Sequence, residues 1–259
     1  MLTGLYISTA GGMVQSARQD VVANNLANLN TPGFKRHFAI VRERLSESAE
    51  QDLHFYQTNE ILEKIGGGIF LHETPHLDQP GPSEQTDQKL DLALKDLDGR
   101  NFFTVSDDAG TYYTRAGNFK LNAAGEVVTS DGRYKLMLKS GRPLILGAAT
   151  DFKVSGDGRV EVDGRVVGEL DLRQAPGPRA LRRYGYNVYA SNLPGGLPPS
   201  TGVPAVQVAQ GYLERSNVNA VTEMVSMIDT LRAYEANMKL VTEQDANLAQ
   251  IVGRVPQIG

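Results

Sequence analysis

The segment His72-Glu73-Thr74-Pro75-His76 has the residue types of a hydrolytic metal site. In H-E-x-x-H, two imidazoles one helical turn apart hold zinc, and the carboxylate between them takes a proton from the bound water. That chemistry requires a helix, because only a helix puts both rings on one face. Pro75 stands between the two histidines, where it removes a backbone N–H and pushes Thr74 out of the α region. Gly66-Gly67-Gly68 upstream and Pro80-Gly81-Pro82 downstream reinforce the break. A third protein ligand, usual at catalytic zinc, has no candidate. The segment is therefore expected to be extended, and no catalytic, cofactor-binding or metal-binding residue is assigned. A zinc hydrolase acting through His72, Glu73 and His76 stands as an alternative.

Other chemical patterns reduce to turns. Asp107-Asp108 reads as a solvated turn, and Gly156-Asp157-Gly158-Arg159 as a hairpin whose oxygen spacing is wrong for a calcium loop. The sequence contains no G-x-S-x-G, P-loop or G-x-G-x-x-G segment. With no Cys, neither a disulfide framework nor a thiolate metal site is available. The formal charge of −4 does not favour nucleic acid or an anionic membrane as partner. No apolar run approaches the ~18 residues of a membrane helix, so membrane insertion is not expected. The first basic residue is Arg18, after a stretch broken by Gly4, Ser8, Thr9, Gly11 and Gly12, which is not the pattern of a cleaved secretory signal.

The elements behind these residues differ between the ends and the middle. From Thr3 to about Asn28 there is no Pro, and apolar residues recur at helical spacing: Val14, Ala17 and Val21, then Val22, Leu26 and Leu29. Asn30-Thr31-Pro32-Gly33 ends that helix. The C-terminal end is more regular. Met224, Met227, Leu231, Tyr234, Met238, Val241, Asp245, Leu248 and Val252 step by three and four alternately, a heptad seam with one polar member. Val221, Val225 and Ile228 widen the stripe, and Ser216, Asn217 and Asn219 offer N-cap side chains. A helix from about Asn219 to Val252 is expected, and its stripe needs a partner, since an isolated helix is marginal in water.

Between the helices, from about Leu90 to Ala209, short strands alternate with turns. Phe102–Val105, Tyr112–Thr114, Asn118–Leu121, Glu126–Thr129, Arg133–Leu138, Phe152–Val154, Arg159–Val162 and Arg165–Leu172 read as strands. Asp98-Gly99, Ala124-Gly125, Asp131-Gly132, Asp157-Gly158 and Asp163-Gly164 separate them. His37 to Thr86 is mixed, and up to about Gln57 it reads as a possible helical extension. Leu193 to Pro204, rich in Pro and Gly, reads as a linker. The fold class is α+β: long N- and C-terminal helices with a central all-β domain of short strands, the pattern leaving open whether the helices cap that domain or pair with each other as a coiled-coil-like layer and with neighbouring subunits. The divisions fall at 1–36, 37–89, 90–209 and 210–259.

Specific runs then narrow the class. Ala23-Asn24-Asn25-Leu26-Ala27-Asn28 and Asn30-Thr31-Pro32-Gly33-Phe34-Lys35-Arg36 resemble the N-terminal signature of flagellar rod and hook proteins. Ser216-Asn217-Val218-Asn219, Glu223-Met224-Val225 and Arg232-Ala233-Tyr234-Glu235-Ala236-Asn237-Met238-Lys239 resemble the C-terminal one. Leu90-Asp91-Leu92-Ala93-Leu94, Tyr113-Thr114-Arg115-Ala116-Gly117 and Val128-Thr129-Ser130-Asp131-Gly132 are similar to the β domain of that family. Asp98-Gly99-Arg100-Asn101-Phe102-Phe103 departs from the family's Gly-Asp-Gly-Phe-Phe turn. The short segment between Phe38 and Gly66 leans toward the proximal of the two rod paralogues and leaves the choice open.

The resemblance implies a structural subunit of the basal body and not an enzyme. Subunits of such a family assemble head-to-tail into an open helical tube around an export channel, terminal helices inside and β domain outside. The implied partners are further copies, other rod and hook proteins and the flagellar type III export apparatus, with no nucleic acid. The implied location is the periplasmic rod, reached without a cleaved signal. The assembly residues it implies are Asn24, Asn25, Leu26, Asn28, Asn30, Thr31 and Phe34 at the N-terminal end. At the C-terminal end they are Met224, Met227, Leu231, Tyr234, Met238, Val241, Asp245 and Leu248, with Asp245 placed to set register. A secreted β binding module with the helices as a cap is the second alternative.

Overall fold

The computed structural model describes residues 2–43, 68–75, 78–147, 151–185, 187–200 and 206–254. The chain divides into two compact units. One holds residues 1–26, 37–75 and 220–259, and the other holds 27–36 and 76–219.

The first unit is built on two helices, α1 (Leu2–Ala27) and α2 (Ala220–Arg254). Their extents follow the sequence signals: α1 stops before Pro32, and α2 starts after Asn219. Beside them lies a hairpin of β1 (Ile40–Glu43) and β2 (Ile69–Glu73). The helical extension expected from His37 is therefore corrected over 40–43. Its β-branched Ile40 and Val41 suit a strand, and they find a partner in β2. The remainder of that expectation lies outside the described residues. No described helix is long and apolar enough to cross a membrane.

The second unit is β throughout, and every strand pairing in it is antiparallel. Its largest sheet centres on β5 (Asn101–Ser106). One edge of β5 pairs with β6 (Thr111–Thr114). The other edge is shared by β9 (Lys135–Leu136), next to its C-terminal end, and β13 (Leu172–Gln174), next to its N-terminal end. The sheet continues through β14 (Leu181–Gly185) and β15 (Val188–Ser191) beyond β6, and through β8 (Val127–Val128) and β7 (Lys120–Leu121) beyond β9. A three-stranded sheet holds β10 (Phe152–Val154), β11 (Arg159–Val162) and β12 (Arg165–Glu169). Two further pairs complete the unit: β4 (Leu92–Lys95) with β16 (Gln207–Gln210), and β3 (Ser83–Gln85) with β17 (Tyr212–Glu214). The five turns expected from their Gly residues all form, each with a positive φ at the Gly.

Alternation along β5 sends its side chains into two cores. Phe103 and Val105 join Leu92, Leu136, Val160 and Leu170 in the larger one, and Phe103 meets Phe119 edge-to-face at 5.5 Å. Phe102 joins Tyr113, Tyr189 and Leu197 in the smaller one. Leu197 corrects the expected linker over its first part. Leu197 is buried while most of its neighbours stay exposed, and the segment is pinned by Gln174 N donating to the carbonyl of Pro198 (3.0 Å) and Ser200 N to that of Leu172 (3.0 Å). Positions 201–204 of that linker lie outside the described residues. The strand expected over Arg165–Leu172 breaks at Leu170, whose side chain turns into the larger core.

Leu136 is fully buried in the larger core. Leu136→Ala is expected to cost about 2–5 kcal/mol through lost contact and a residual cavity. Differential scanning calorimetry of the full chain should show the β transition lowered by about 2–4 °C for each kcal/mol lost.

Candidate assembly surface

In the first unit the two helices approach closely because α1 presents small residues. A Cβ added at Gly11 would lie 2.8 Å from Asn237 Oδ1, and one at Gly4 would lie 3.1 Å from Gln244 Nε2. Near Gly12 lie Met238 and Tyr234. At the other end of the pair, Asn25 Nδ2 donates to Glu223 Oε2 at 3.1 Å. From Gly4 to Gly11 is the same number of residues as from Gln244 to Asn237, and Gly11 to Asn25 matches Asn237 to Glu223. The helices therefore run antiparallel in constant register. Each Gly lowers helix propensity by about 1 kcal/mol relative to Ala, and what α1 gains is backbone approach.

The buried side of the pair therefore mixes small, polar and apolar residues. On α1 the buried residues are Ser8, Gly11, Gly12, Val14, Val22 and Asn25, and on α2 the fully buried one is Glu223. Asn25 also donates to the carbonyl of His37 at 2.8 Å and accepts from its N–H at 2.9 Å. This arrangement splits the expected heptad seam. Met227, Tyr234, Val241 and Leu248 are half-buried, whereas Met224, Leu231, Met238 and Asp245 are exposed. The side chain of Val252 lies outside the described residues. Asp245 accordingly stands on the outer surface of the unit and not in the α1–α2 contact. Outward with it are Val221, Val225, Ile228, Leu240 and Ile251 on α2, and Tyr6, Ile7 and Met13 on α1.

The N-terminal signature divides in a similar way. Asn24 and Asn30 are exposed, and Leu26, Asn28 and Thr31 are half-buried. Asn25 and Phe34 are each 1% exposed, and this chain engages both internally. Phe34 belongs to the second unit, under Arg183 (5.4 Å to the ring centroid), and its carbonyl accepts from Asn217 N at 3.3 Å. Asn217 does not cap α2. Its Oδ1 accepts from Arg36 N at 2.6 Å and its Nδ2 donates to the carbonyl of Gln79 at 2.8 Å.

A buried charge cluster in the second unit holds this segment. Arg115 Nε donates to Glu214 Oε2 at 2.7 Å. Nη1 donates to Asp96 Oδ2 at 2.9 Å and to the Asn101 carbonyl at 2.7 Å, and Nη2 donates to Asp96 Oδ1 at 2.9 Å. Gly33 donates to the Glu214 carbonyl at 2.7 Å. Gly33 has φ 65°, and a Cβ there would lie 2.4 Å from the Arg115 carbonyl, so no other residue fits. Lys35 Nζ donates to the carbonyls of Gly99 (2.9 Å), Gln79 (3.1 Å) and Asp78 (3.3 Å), with Glu214 Oε1 farther off at 3.8 Å. Burial alone would raise the Asp96 carboxyl, yet the hydrogen bonds and charge of Arg115 hold it below the usual range. Burial, followed by the charge of Arg115, lowers Lys35 to about 8 against the pull of Glu214, Asp96 and Asp78. Sequence reading passed over Asp96 and Glu214. Their signal was a carboxylate at the inward-facing end of each short strand.

His72 and Glu73 lie on β2, in extended backbone on opposite faces, and His72 is exposed. The helix that a zinc site needs is replaced by a strand there. His76 lies outside the described residues. Among the described residues no group of three or more His, Asp or Glu could hold a metal.

Three family models match in chain order. Residues 5–35 match the flagella basal body rod protein model, 96–162 the flagellar hook protein FlgE/F/G D1 domain, and 209–254 the flagellar basal body rod FlgEFG protein C-terminal model. Among curated relatives, the flagellar basal-body rod protein FlgG of Bacillus subtilis is 30% identical, over 97% of this chain and 98% of its own. FlgG of Buchnera aphidicola subsp. Baizongia pistaciae is 32% identical over 97% and 99%. The flagellar basal-body rod protein FlgF of Rhizobium meliloti is 30% identical over 97% of each. The chain belongs to the flagellar basal-body rod protein family.

Lys35 yields a pH test. Its folded pKa, about 8, lies below the ordinary 10.5, so between those values the unfolded chain binds more protons than the folded one. Stability therefore climbs as pH rises from about 8 to 10.5, by roughly 3 kcal/mol in total, and is lowest and flat below 8. Urea denaturation at pH 7.5 and pH 10 should show this climb in the natural chain and its loss in Lys35→Met.

Proposed function

We propose that this protein is a structural axial subunit of the flagellar rod, in the basal body. It self-assembles head-to-tail into a hollow, torque-transmitting tube that encloses the export channel. The observation that carries this reading is the row of large apolar side chains that the helix pair leaves uncovered. Glycines, polar residues and some apolar side chains fill its internal side, while Val221, Met224, Val225, Ile228 and Leu240 of α2 and Met13 of α1 stand outward. Exposed apolar stripes of this extent mark protein–protein contact. Copies of the same chain are the natural cover in a rod, with Met224, Leu231 and the part of Met238 not packed beside Gly12 meeting helices of neighbouring subunits. Met227, Tyr234, Val241 and Leu248 serve the contact within the chain. Asn24, Asn30 and Asp245 supply polar contacts between subunits, with Asp245 fixing register. Other rod and hook proteins cap the ends of the segment. The subunit leaves through the type III apparatus to a periplasmic position without cleavage of a signal.

Leu231→Asp tests the reading. A carboxylate buried in a subunit contact costs several kcal/mol, and lost Leu burial adds about 1.5–3 kcal/mol. The defect recurs at every subunit, so cells carrying it are expected to build no rod and not to swim. The purified variant should keep the β thermal transition of the natural chain. Ala249→Asp, at another exposed position of α2, is the control and should swim. Normal rods from Leu231→Asp would show that this stripe is not an assembly surface.

A further inference from the structure

The chain has six Met and neither Cys nor Trp, so two-electron oxidants act first on its thioethers. The Met side chains are not placed alike. Met13 of α1 is 70% exposed and Met224 of α2 is 52% exposed. Met238 is exposed too, but its Sδ lies 3.5 Å from where a Cβ at Gly12 would stand, so the helix pair covers part of it. Met227 is half-buried. Met137, half-buried in the β unit, has its sulfur occupied, since Ser106 Oγ donates to Sδ at 3.0 Å. The reachable sulfurs are therefore concentrated on the outward side of the helix pair. Met224 stands there among Val221, Val225 and Ile228, each half exposed or more. An apolar row needs only volume and hydrophobicity at such positions, and Leu supplies both, as it does at Leu231. Met adds a sulfur that a peroxide can reach.

Oxidation changes what this row can do. The sulfur gives an electron pair to one oxygen of hydrogen peroxide. An S–O bond forms as the O–O bond breaks, and the other oxygen leaves as water. The product is a sulfoxide, polar where the thioether was apolar. On a free chain it is hydrated and costs the fold little. Pressed into a dry contact between copies it loses that water, and Val221, Val225 and Ile228 offer no side-chain donor in exchange. We propose that Met13 and Met224 are an oxidation site for peroxides that marks the unassembled subunit. The site is open before assembly, covered after it, and incompatible with it once modified. This rests on the assembly reading given above. Because sulfoxide reductases restore the thioether, the block is reversible.

Peptide mass spectrometry after hydrogen peroxide treatment, on the dilute full chain and on isolated basal bodies, tests this. In the free chain Met13 and Met224 should oxidise about tenfold faster than Met137 and Met227, in step with exposure. In the rod the same two should slow about tenfold. Rates at Met13 and Met224 that match those at Met137 and Met227, or that are equal in free chain and rod, would overturn the proposal. Two double variants read the consequence in cells. Met13→Gln with Met224→Gln, a polar group of similar length in place of each sulfoxide, should keep the thermal transitions of the natural chain and build no rod. Met13→Leu with Met224→Leu should build rods and swim. Normal rods from the Gln pair, loss of its thermal transitions, or failure of the Leu pair would each overturn the proposal. Rods from Leu231→Asp would remove the assembly reading itself. A chain stopped by Leu231→Asp and not by the Gln pair loses only the oxidation site.

Discussion

The buried guanidinium of Arg115 is the constraint around which the rest of the β unit is arranged. It bridges Asp96, at the end of one strand pair, and Glu214, at the end of another, and it also bonds the carbonyl of Asn101 at the start of the central strand. Two ions out of water lose much of their Coulomb gain to desolvation, so such a cluster adds little net stability. What it adds is specification, because any arrangement that strands one of these charges is costly. Glu214 is already held by Arg115 and by Gly81 N (3.0 Å) when Gly33 bonds to its backbone. Segments 27–36 and 212–219 consequently lie side by side within the β unit.

The helix pair follows a different logic. Most amphipathic helices bury their large apolar side chains first. Here the register is set by Gly4 and Gly11 against Gln244 and Asn237 and by Asn25 against Glu223, which uses up little apolar surface. Polar contacts set the register, and a row of large apolar side chains, Val221, Val225 and Ile228 among them, is left exposed.

Much of this architecture could be read from residue types, and the failures have particular causes. Both helices and most of the hairpin turns followed from Pro, Asp-Gly and apolar spacing, which are local signals. The seam on α2 was visible, but its division into a half-buried row and an exposed row depends on glycines more than 200 residues away in sequence. Asn25 and Phe34 enter the assembly set through the family signature and not through any spacing of their own. Their burial comes from partners such as Arg183 and Glu223, which no local pattern discloses. Leu197 was hidden by its Pro and Gly neighbours, which mark a loop without indicating whether the loop is packed.

The Arg115 cluster also has a consequence for the order in which the molecule can form. Arg115 and Glu214 are 99 residues apart, Arg36 and Asn217 are 181 apart, and Asn25 and Glu223 are 198 apart. Contacts of such separation close late, since the entropy of the intervening chain must be overcome before they return anything. A chain supplied from its N-terminus therefore cannot seat Gly33 until residue 214 has arrived. Throughout that interval α1 has no α2 to pack against. The first segment to enter is among the last to settle, and the molecule stays incomplete at both ends until almost its whole length is present.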